Sequence, residues 1–203
     1  MKVQKLQVGY LQTNCYIVTC EEQREAAVID PGGNYETIKA YLDQNNKVAA
    51  AVLLTHGHFD HIMAAKKLQD TGAKVYINVL DGDMLQNSGY TTRDLGIKIP
   101  PFYADKLFVD NDIIKVGKLE FKALHTPGHT KGSSCFVIED TIFSGDTMFY
   151  QNYGRTDFRG GSQEAIERSL KKLMSLEGDY KVLPGHMEIT TLDHERKHNP
   201  VVR

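Results

Sequence analysis

The most informative part of this 203-residue sequence is Thr55-His56-Gly57-His58-Phe59-Asp60-His61. It contains four potential metal ligands within six residues: His56, His58, Asp60 and His61. Imidazole and carboxylate groups are the ligands that zinc and other borderline divalent ions favour. An apolar strand is predicted before it, over residues 48–54, and an amphipathic helix after it, over residues 62–69. We therefore predict a metal site at a turn between a strand and a helix.

Three later segments each place a further candidate ligand beside a glycine, after a predicted strand. They are Gly128-His129, Gly145-Asp146 and Gly185-His186. Glycine permits the backbone turn that aims a neighbouring side chain at a shared point. Such turns are common at strand ends, so each segment alone indicates little. Together with the first stretch, they indicate one site that is assembled from distant parts of the chain.

The composition restricts the class of protein. The chain is long enough to bury a core without disulfides, and its net charge of -2 comes with no Lys- or Arg-rich block that could follow a phosphate backbone. The N-terminal segment alternates apolar and polar residues and lacks a signal-peptide core. No window approaches the roughly 20 apolar residues that span a bilayer. We therefore expect a soluble, cytoplasmic protein with no nucleic-acid or membrane partner.

The three cysteines agree with an intracellular compartment. Cys15, Cys20 and Cys135 are odd in number and show no C-x-x-C spacing. We therefore expect free thiols, in or near strands, and neither disulfides nor zinc ligands.

Short β-rich segments and helical patterns predict the secondary structure. Strands are expected over residues 3–8, 15–20, 26–29, 48–54, 74–78, 113–116, 119–124, 134–138, 141–144 and 182–183. Asn34 is expected to cap a helix, Ser162 to cap another, and a terminal helix is expected over residues 192–198. Residues 80–105 are expected to form a long surface loop with some helix at its start. With no linker visible, we predict one α/β domain, residues 1–203, in which two packed sheets are covered by helices.

The ligand segments resemble the metallo-β-lactamase superfamily in residue and order, as do Leu11-Gln12-Thr13-Asn14-Cys15-Tyr16, Asp30-Pro31-Gly32 and Gly154-Arg155-Thr156-Asp157-Phe158. Within it, the chain is most similar to the short glyoxalase II-like hydrolases, which cleave thioesters of hydroxyacids. The resemblance implies a four-layer αββα sandwich of two mixed β-sheets flanked by helices. It also implies two divalent metal ions, zinc first and iron or manganese as alternatives. One ion would be held by His56, His58 and His129, the other by Asp60, His61 and His186, and Asp146 would bridge them.

Two metal ions suit thioester hydrolysis for a physical reason. Neutral water attacks a thioester carbonyl poorly, whereas a metal ion can lower the pKa of bound water from about 15.7 to near 7. Two ions roughly 3.5–4 Å apart can hold a hydroxide between them and stabilise the charge of the tetrahedral intermediate. We therefore expect a binuclear hydrolase of a small 2-hydroxyacyl thioester, acting through a metal-bridging hydroxide, with Asp60 and Asp146 as its catalytic carboxylates.

The substrate contacts are predicted from fewer residues. Arg155 and Tyr153 are the candidates for binding an anionic substrate, and a surface turn held by its own hydrogen bonds is the alternative for Arg155. Full-length glyoxalase II has a C-terminal helical region that helps to bind glutathione, and this sequence has no counterpart. We therefore expect little preference for an elaborate thiol carrier.

Other functions of the same fold stay open. Persulfide dioxygenases are similar in the first motif and in Gly-Arg-Thr-Asp-Phe, and use one iron, which His56, His129 and Asp146 could bind. The presence of His186 favours a second metal ion and therefore hydrolysis. A lactone, phosphodiester or β-lactam substrate is the remaining alternative. A β-lactamase would usually be exported and a nuclease of this fold would need a basic surface or an added domain, and we expect neither feature from this sequence.

Two histidine patterns have a plainer interpretation. His194-Glu195-Arg196-Lys197-His198 matches the H-E-x-x-H pattern of zinc proteases, but Pro200 ends the helix, so we interpret it as a solvated terminal helix. His125 either orients His129 or has a structural role, and it is left out of the metal site.

Overall fold

The computed structural model describes residues 1–87 and 97–202, and its strands form two six-stranded sheets. The strands of the first sheet lie side by side in chain order: β1 (Lys2–Val8), β2 (Thr13–Thr19), β3 (Glu25–Ile29), β4 (Val48–Leu53), β5 (Lys74–Asn78) and β6 (Lys106–Phe108). The strands from β1 to β3 pair antiparallel, as the predicted meander requires, and those from β3 to β6 pair in parallel. The first sheet is therefore mixed.

The second sheet runs in the reverse spatial order, from β12 to β7. Its strands are β7 (Ile113–Val116), β8 (Leu119–His125), β9 (Ser134–Ile138), β10 (Thr141–Gly145), β11 (Lys181–Pro184) and β12 (Thr190–Thr191). The pair formed by β10 and β11 is parallel, and the other neighbours pair antiparallel. This sheet is therefore mixed as well.

The helices lie on the outer faces of the two sheets. They are α1 (Tyr35–Gln44), α2 (Phe59–Ile62), α3 (Ala65–Asp70), α4 (Gln163–Met174) and α5 (Leu192–His198), with short 3-10 helices at Val79–Leu85 and Pro200–Val202. In the part of the chain that the structure describes, no helix combines the length and the apolar composition that crossing a membrane requires.

The buried apolar residues form three clusters, one at each interface between layers. Along β2, Cys15 and Ile17 face the helices, whereas Tyr16 and Val18 face the second sheet, because successive side chains of a strand point to opposite faces. The helix α4 packs on the outer face of the second sheet through Ile166 and other buried residues. Three interfaces between four layers confirm the predicted αββα sandwich.

The helix predicted over residues 62–69 begins earlier and is interrupted. It starts at Phe59, ends at Ile62 and resumes at Ala65 as α3. The backbone N–H of Ala64 donates to the carbonyl of Pro31 at 2.9 Å and therefore does not continue the helical hydrogen-bond pattern. Metal-ligand candidates thus occupy a short helix of their own.

The prediction that Asn34 caps α1 through its side chain is wrong. Asn34 lies in the left-handed region, with φ of 48°, and makes no capping hydrogen bond with its side chain. Its Oδ1 instead accepts a hydrogen bond from the backbone N–H of Gly9 at 2.6 Å. Asn34 therefore joins the turn after β1 to the segment that follows β3. The predicted cap of α4 is confirmed, since the hydroxyl oxygen of Ser162 accepts from the N–H of Ala165.

The structure describes the two ends of the segment that was predicted to be a long loop. Its start forms the 3-10 helix Val79–Leu85, in agreement with the predicted helical start. Residues 88–96 lie outside the described residues, and the chain then leads into β6.

Candidate metal centre

Four strands deliver the candidate ligands to one place. His56 follows β4, His129 follows β8, Asp146 follows β10 directly, and His186 follows β11. Asp60 and His61 lie on α2, directly after the turn that ends β4. Both sheets therefore contribute to the same cluster.

All seven residues predicted as metal ligands are brought together. Within each of three groups the ligand atoms lie within 4.8 Å of one another: His56, His58 and His129; Asp60, His61 and His186; His56, His61 and Asp146. We call the first group the first trio and the second group the second trio. The third group connects them, because it takes one histidine from each trio and adds Asp146.

Ring nitrogens converge within the first trio. Nδ1 of His58 lies 2.8 Å from Nε2 of His129. The ring of His56 stands nearly perpendicular to both, at centroid distances of 4.8 and 4.7 Å. If both rings are neutral and both of these nitrogens carry lone pairs, the lone pairs repel each other. A proton or a cation between the two nitrogens removes this repulsion. Three imidazoles aimed at one point are a ligand set of the kind that zinc binds.

The second trio combines nitrogen and oxygen atoms. Nε2 of His186 lies 3.3 Å from Nε2 of His61 and 3.1 Å from Oδ2 of Asp60. Asp146 faces both trios at once, because its Oδ1 lies 3.4 Å from Nε2 of His61 and its Oδ2 lies 3.4 Å from Nε2 of His129. One carboxylate thus presents one oxygen to each trio.

A buried network behind the site fixes the orientation of His56. The hydroxyl of Thr55 donates to Oδ2 of Asp30 at 2.7 Å, and Oδ1 of Asp30 accepts from the N–H of Thr55 at 2.8 Å. Since the single hydroxyl proton is used in this way, Oγ1 of Thr55 accepts from Nδ1 of His56 at 3.1 Å. The proton of His56 therefore lies on Nδ1, and its Nε2 has a free lone pair.

Two further histidines are oriented in the same manner. Nδ1 of His61 lies 2.9 Å from Oδ2 of Asp30, and Nδ1 of His129 lies 2.8 Å from the carbonyl oxygen of Arg155. In each case Nδ1 carries the proton that the acceptor requires, and Nε2 is left to bind a metal ion. Asp30 was not among the predicted site residues, although an acidic residue at the end of a buried strand is a signal that could have suggested a role.

Burial and neighbouring charges set the protonation of the cluster. Burial lowers the pKa of His56 well below its usual value, and burial together with His129 lowers the pKa of His58 to about 4. Both rings are therefore neutral near pH 7, which is the form that binds a metal ion. Burial alone would raise the pKa of Asp60, but His61 and His186 outweigh it and hold that pKa below its usual range.

The residues present fit a divalent metal ion. Among the described buried side-chain atoms, Nε2 of His56 and Oδ1 of Asp146 have no hydrogen-bond partner. Leaving a buried polar atom unpaired costs roughly 1–3 kcal/mol, and a cation bound in the cluster would satisfy both atoms. Gly185 keeps the space open, because a Cβ atom there would lie 2.4 Å from Oδ1 of Asp146.

The two predicted substrate contacts have other partners. The guanidinium of Arg155 is exposed, donates to both carboxylate oxygens of Asp157 at 2.7 and 2.6 Å, and stacks 4.0 Å from the ring centre of Phe158. This is the self-contained turn that was the alternative at this position. The hydroxyl of Tyr153 accepts a hydrogen bond from Nε2 of Gln163 at 2.9 Å. Its ring packs against the apolar cluster that lies between the second sheet and α4.

The remaining histidine patterns are structural. Nε2 of His125 lies 2.8 Å from the carbonyl oxygen of Lys131. In the terminal helix α5, Glu195 is fully buried, so the interpretation of that helix as solvated is wrong for its inner face. The ring of His194 stacks on Tyr150 at 5.0 Å. His194 and Glu195 of this H-E-x-x-H segment therefore connect α5 to the body of the protein.

Protein comparisons place these findings in a family. The profile described as the metallo-beta-lactamase superfamily matches residues 8–186. A protein of Mycobacterium tuberculosis of uncharacterised function is 39% identical over 95% of this chain and 93% of its own. The hydroxyacylglutathione hydrolase GloC of Haemophilus influenzae is 32% identical over 98% of this chain and 97% of its own. The probable metallo-hydrolase YqgX of Bacillus subtilis shows the same identity and coverage.

Solved structures agree with the sequence relatives. The BLEG-1 B3 metallo-beta-lactamase superimposes with a TM-score of 0.92 at 34% identity, covering 99% of both chains. TTHA1623 in a di-iron-bound form gives 0.87 at 34% identity, covering 97% of this chain and 98% of that one. ETHE1 from Myxococcus xanthus gives 0.80 at 29% identity, covering all of this chain and 85% of that one. With its four layers and its cluster of histidines and aspartates, the chain belongs to the metallo-beta-lactamase superfamily.

Proposed function

We propose that this protein is a binuclear metal-dependent hydrolase of 2-hydroxyacyl thioesters. The observation that carries the proposal is the position of Asp146, whose two oxygens each lie 3.4 Å from a histidine nitrogen, one in each trio. A single-metal site needs neither this arrangement nor His186. The similarity to the hydroxyacylglutathione hydrolase GloC supports the thioester part of the proposal.

The proposed ligands follow from the two trios. His56, His58 and His129 would hold one ion and Asp60, His61 and His186 the other, with Asp146 shared between them. Zinc is the proposed metal, because nitrogen and carboxylate ligands suit it. Iron is the alternative, because TTHA1623 has a di-iron form. Two such ions supply a water of lowered pKa and a polarised substrate carbonyl.

The two catalytic carboxylates would act as anions. Burial alone would raise the pKa of Asp60, but contacts with His61 and His186 hold it below the usual range, and a bound cation would also favour the ionised carboxylate. An ionised Asp60 can accept a hydrogen bond from the attacking water and thereby aim the lone pair of that water at the carbonyl carbon. Asp146 would lie between the two ions, since its oxygens face histidines of both trios. No serine or cysteine nucleophile is needed.

Substrate binding is proposed to use the surface around Arg155. Phe158 lies edge-on to His58 at 5.5 Å, and the guanidinium of Arg155 covers its ring. The hydroxyl of Tyr153 would take part from the neighbouring segment. Because Asp157 already neutralises the charge of Arg155, we expect Arg155 to bind an anionic thiol carrier only weakly.

An assay with two thioesters tests both parts of this proposal. The compounds are S-lactoylglutathione and the lactoyl thioester of N-acetylcysteamine. We expect turnover of both, with kcat/KM values that differ by less than about a thousandfold, or roughly 4 kcal/mol. A larger difference in kcat/KM would contradict the expectation that the enzyme has little preference for the thiol carrier. No turnover of either compound would contradict thioester hydrolysis.

Two observations favour second candidates, and the same assay can include them. The high TM-score with BLEG-1 favours a β-lactam substrate. The similarity to ETHE1 favours oxidation of a persulfide, which would use one iron and consume oxygen. Opening of a chromogenic β-lactam or oxygen uptake with glutathione persulfide, without thioester turnover, would replace the proposed function.

A further inference from the structure

A buried carboxylate outside the ligand set lies behind the first trio. Asp81 belongs to the 3-10 helix Val79–Leu85, which follows β5, and only 1% of its surface is exposed. Neither the predicted site nor the proposed reaction uses it. A buried carboxylate is costly unless donors surround it, so its partners indicate its purpose.

Three donors from two separate segments surround Asp81. Oδ2 accepts from the N–H of Gly57 at 3.2 Å and from the hydroxyl of Thr130 at 2.7 Å. Oδ1 accepts from the N–H of Gly132 at 2.7 Å. Burial raises the pKa of Asp81, and these three hydrogen bonds oppose that shift by stabilising its ionised form.

The two segments are those that carry the first trio. Gly57 lies between His56 and His58, and Thr130 directly follows His129. We propose that Asp81 is a positioning residue that holds these two segments together and so assembles the site for the first metal ion. This inference rests on the metal-binding part of the proposed function and is independent of the substrate.

The hydrogen bonds around Asp81 can be satisfied in one arrangement of donors and acceptors. Oγ of Ser133 lies 2.7 Å from Oγ1 of Thr130 and accepts from the N–H of Thr130 at 2.9 Å. Its own proton can therefore go to Oγ1 of Thr130, whose proton then goes to Asp81. The backbone approach is close as well, because a Cβ atom at Gly132 would lie 2.6 Å from Cγ of Asp81.

The substitution Asp81→Asn keeps the shape but breaks this pattern. If the amide NH2 replaces Oδ1, it faces the N–H of Gly132, and if it replaces Oδ2, it faces the N–H of Gly57. The hydroxyl of Thr130 can rotate to accept, but a backbone N–H cannot. One backbone donor therefore always meets another donor, whichever way the amide is turned.

The experiment measures zinc binding to metal-stripped protein by calorimetric titration in two backgrounds. His186→Ala leaves the first trio intact, and His58→Ala leaves the second trio intact. We expect Asp81→Asn to weaken the ion bound in the His186→Ala background by about 10- to 100-fold, as loss of an outer-shell partner does. In the His58→Ala background we expect a change of less than about threefold, within the context-dependent scatter of such contacts.

Matched variants keep the test interpretable. Asp83→Asn removes the same charge from an exposed residue of the same 3-10 helix, and we expect wild-type affinity. If Asp81→Asn fails to fold, Thr130→Val removes one of the three donors to Asp81, and it should weaken binding of the first ion alone. Equal weakening in both backgrounds, or none in the His186→Ala background, would overturn the inference. Failure of the single-site backgrounds to bind zinc, with Asp81 unchanged, would instead count against the proposed metal site.

Discussion

Among single residues, Asp146 is the one on which both trios depend, because it faces His129 of the first trio and His61 and His186 of the second. Its Oδ1 has no hydrogen-bond partner among the described residues, although it is buried. The charge of this carboxylate also offsets the repulsion between two cations that would lie close together. Removing the side chain should therefore affect both ions, whereas removing a histidine should affect mainly one.

Asp146→Ala should abolish thioester hydrolysis and empty at least one metal site. We expect the loss of kcat/KM to exceed the roughly 10- to 100-fold that follows removal of an outer-shell partner. Elemental analysis and the thioester assay measure the two effects. His198→Ala is the control, because this histidine is exposed on the terminal helix. An essential His198 together with a dispensable Asp146 would contradict the assigned site.

The sequence allows the ligands to be predicted, but not the groups that support them. Four of the candidate ligands lie within six positions of the sequence, so their metal-binding pattern can be recognised without a structure: His56, His58, Asp60 and His61. Asp30 contacts His61 from 31 residues away, and Asp81 contacts Gly132 from 51 residues away. Such contacts depend on how strands pair and pack, which residue types alone do not reveal.

At the scale of elements, the terminal helix α5 is held by one buried acid. Glu195 accepts hydrogen bonds from the N–H of Gln151, the hydroxyl of Thr190 and the side-chain amide of Asn199. All three partners donate, so the carboxylate connects α5, the strand before it and the segment after β10. The role of Glu195 in this H-E-x-x-H segment is therefore to dock the helix.

Glu195→Gln should destabilise the fold without emptying the metal site. Its amide NH2 would face a donor, and we expect the free energy of unfolding to fall by about 1–3 kcal/mol. Urea denaturation of the variant and of Glu177→Gln, an exposed control on the surface, measures the difference. Loss of bound metal from a folded Glu195→Gln protein would contradict this structural role.

Regular elements were predicted well where their periodicity extends over several residues. The strands β1 and β2 begin one or two residues before their predicted starts, and the helix α4 buries Ile166, Leu170 and Leu173 at helical spacing. The short strands β6 and β12 were missed, because two or three residues are too few to show a period of two. Asn34 does hold the N-cap position of α1, but its side chain does not cap the helix, because it binds Gly9, which lies 25 residues earlier.

At the scale of the whole molecule, the sandwich buries both faces of its sheets, and two of the three cysteines lie within those layers. Cys15 packs between the first sheet and its helices, and Cys135 packs between the second sheet and α4. Burial raises the pKa of Cys135 to about 11 and raises the pKa of Cys15 well above its usual value. Cys20 is only half-buried.

A thiol reagent should therefore distinguish the three cysteines. The attacking species is the thiolate, and a raised pKa keeps Cys15 and Cys135 protonated at about pH 8. In the native protein, we expect Ellman's reagent to react rapidly with no thiol other than Cys20. After unfolding, we expect it to react with all three thiols. Cys20→Ser should remove the fast reaction. Rapid modification of two or more thiols in the native state would show that the layers open readily.

Both sheets contribute candidate ligands to one site, and we expect this site to hold two metal ions. Elemental analysis of the purified protein, after its thioesterase activity has been assayed, gives the number of metal ions per chain. We predict close to two divalent ions per chain, because seven ligand groups are too many for one tetrahedral site. One iron per chain, with oxygen uptake on a persulfide and no thioester hydrolysis, would contradict it.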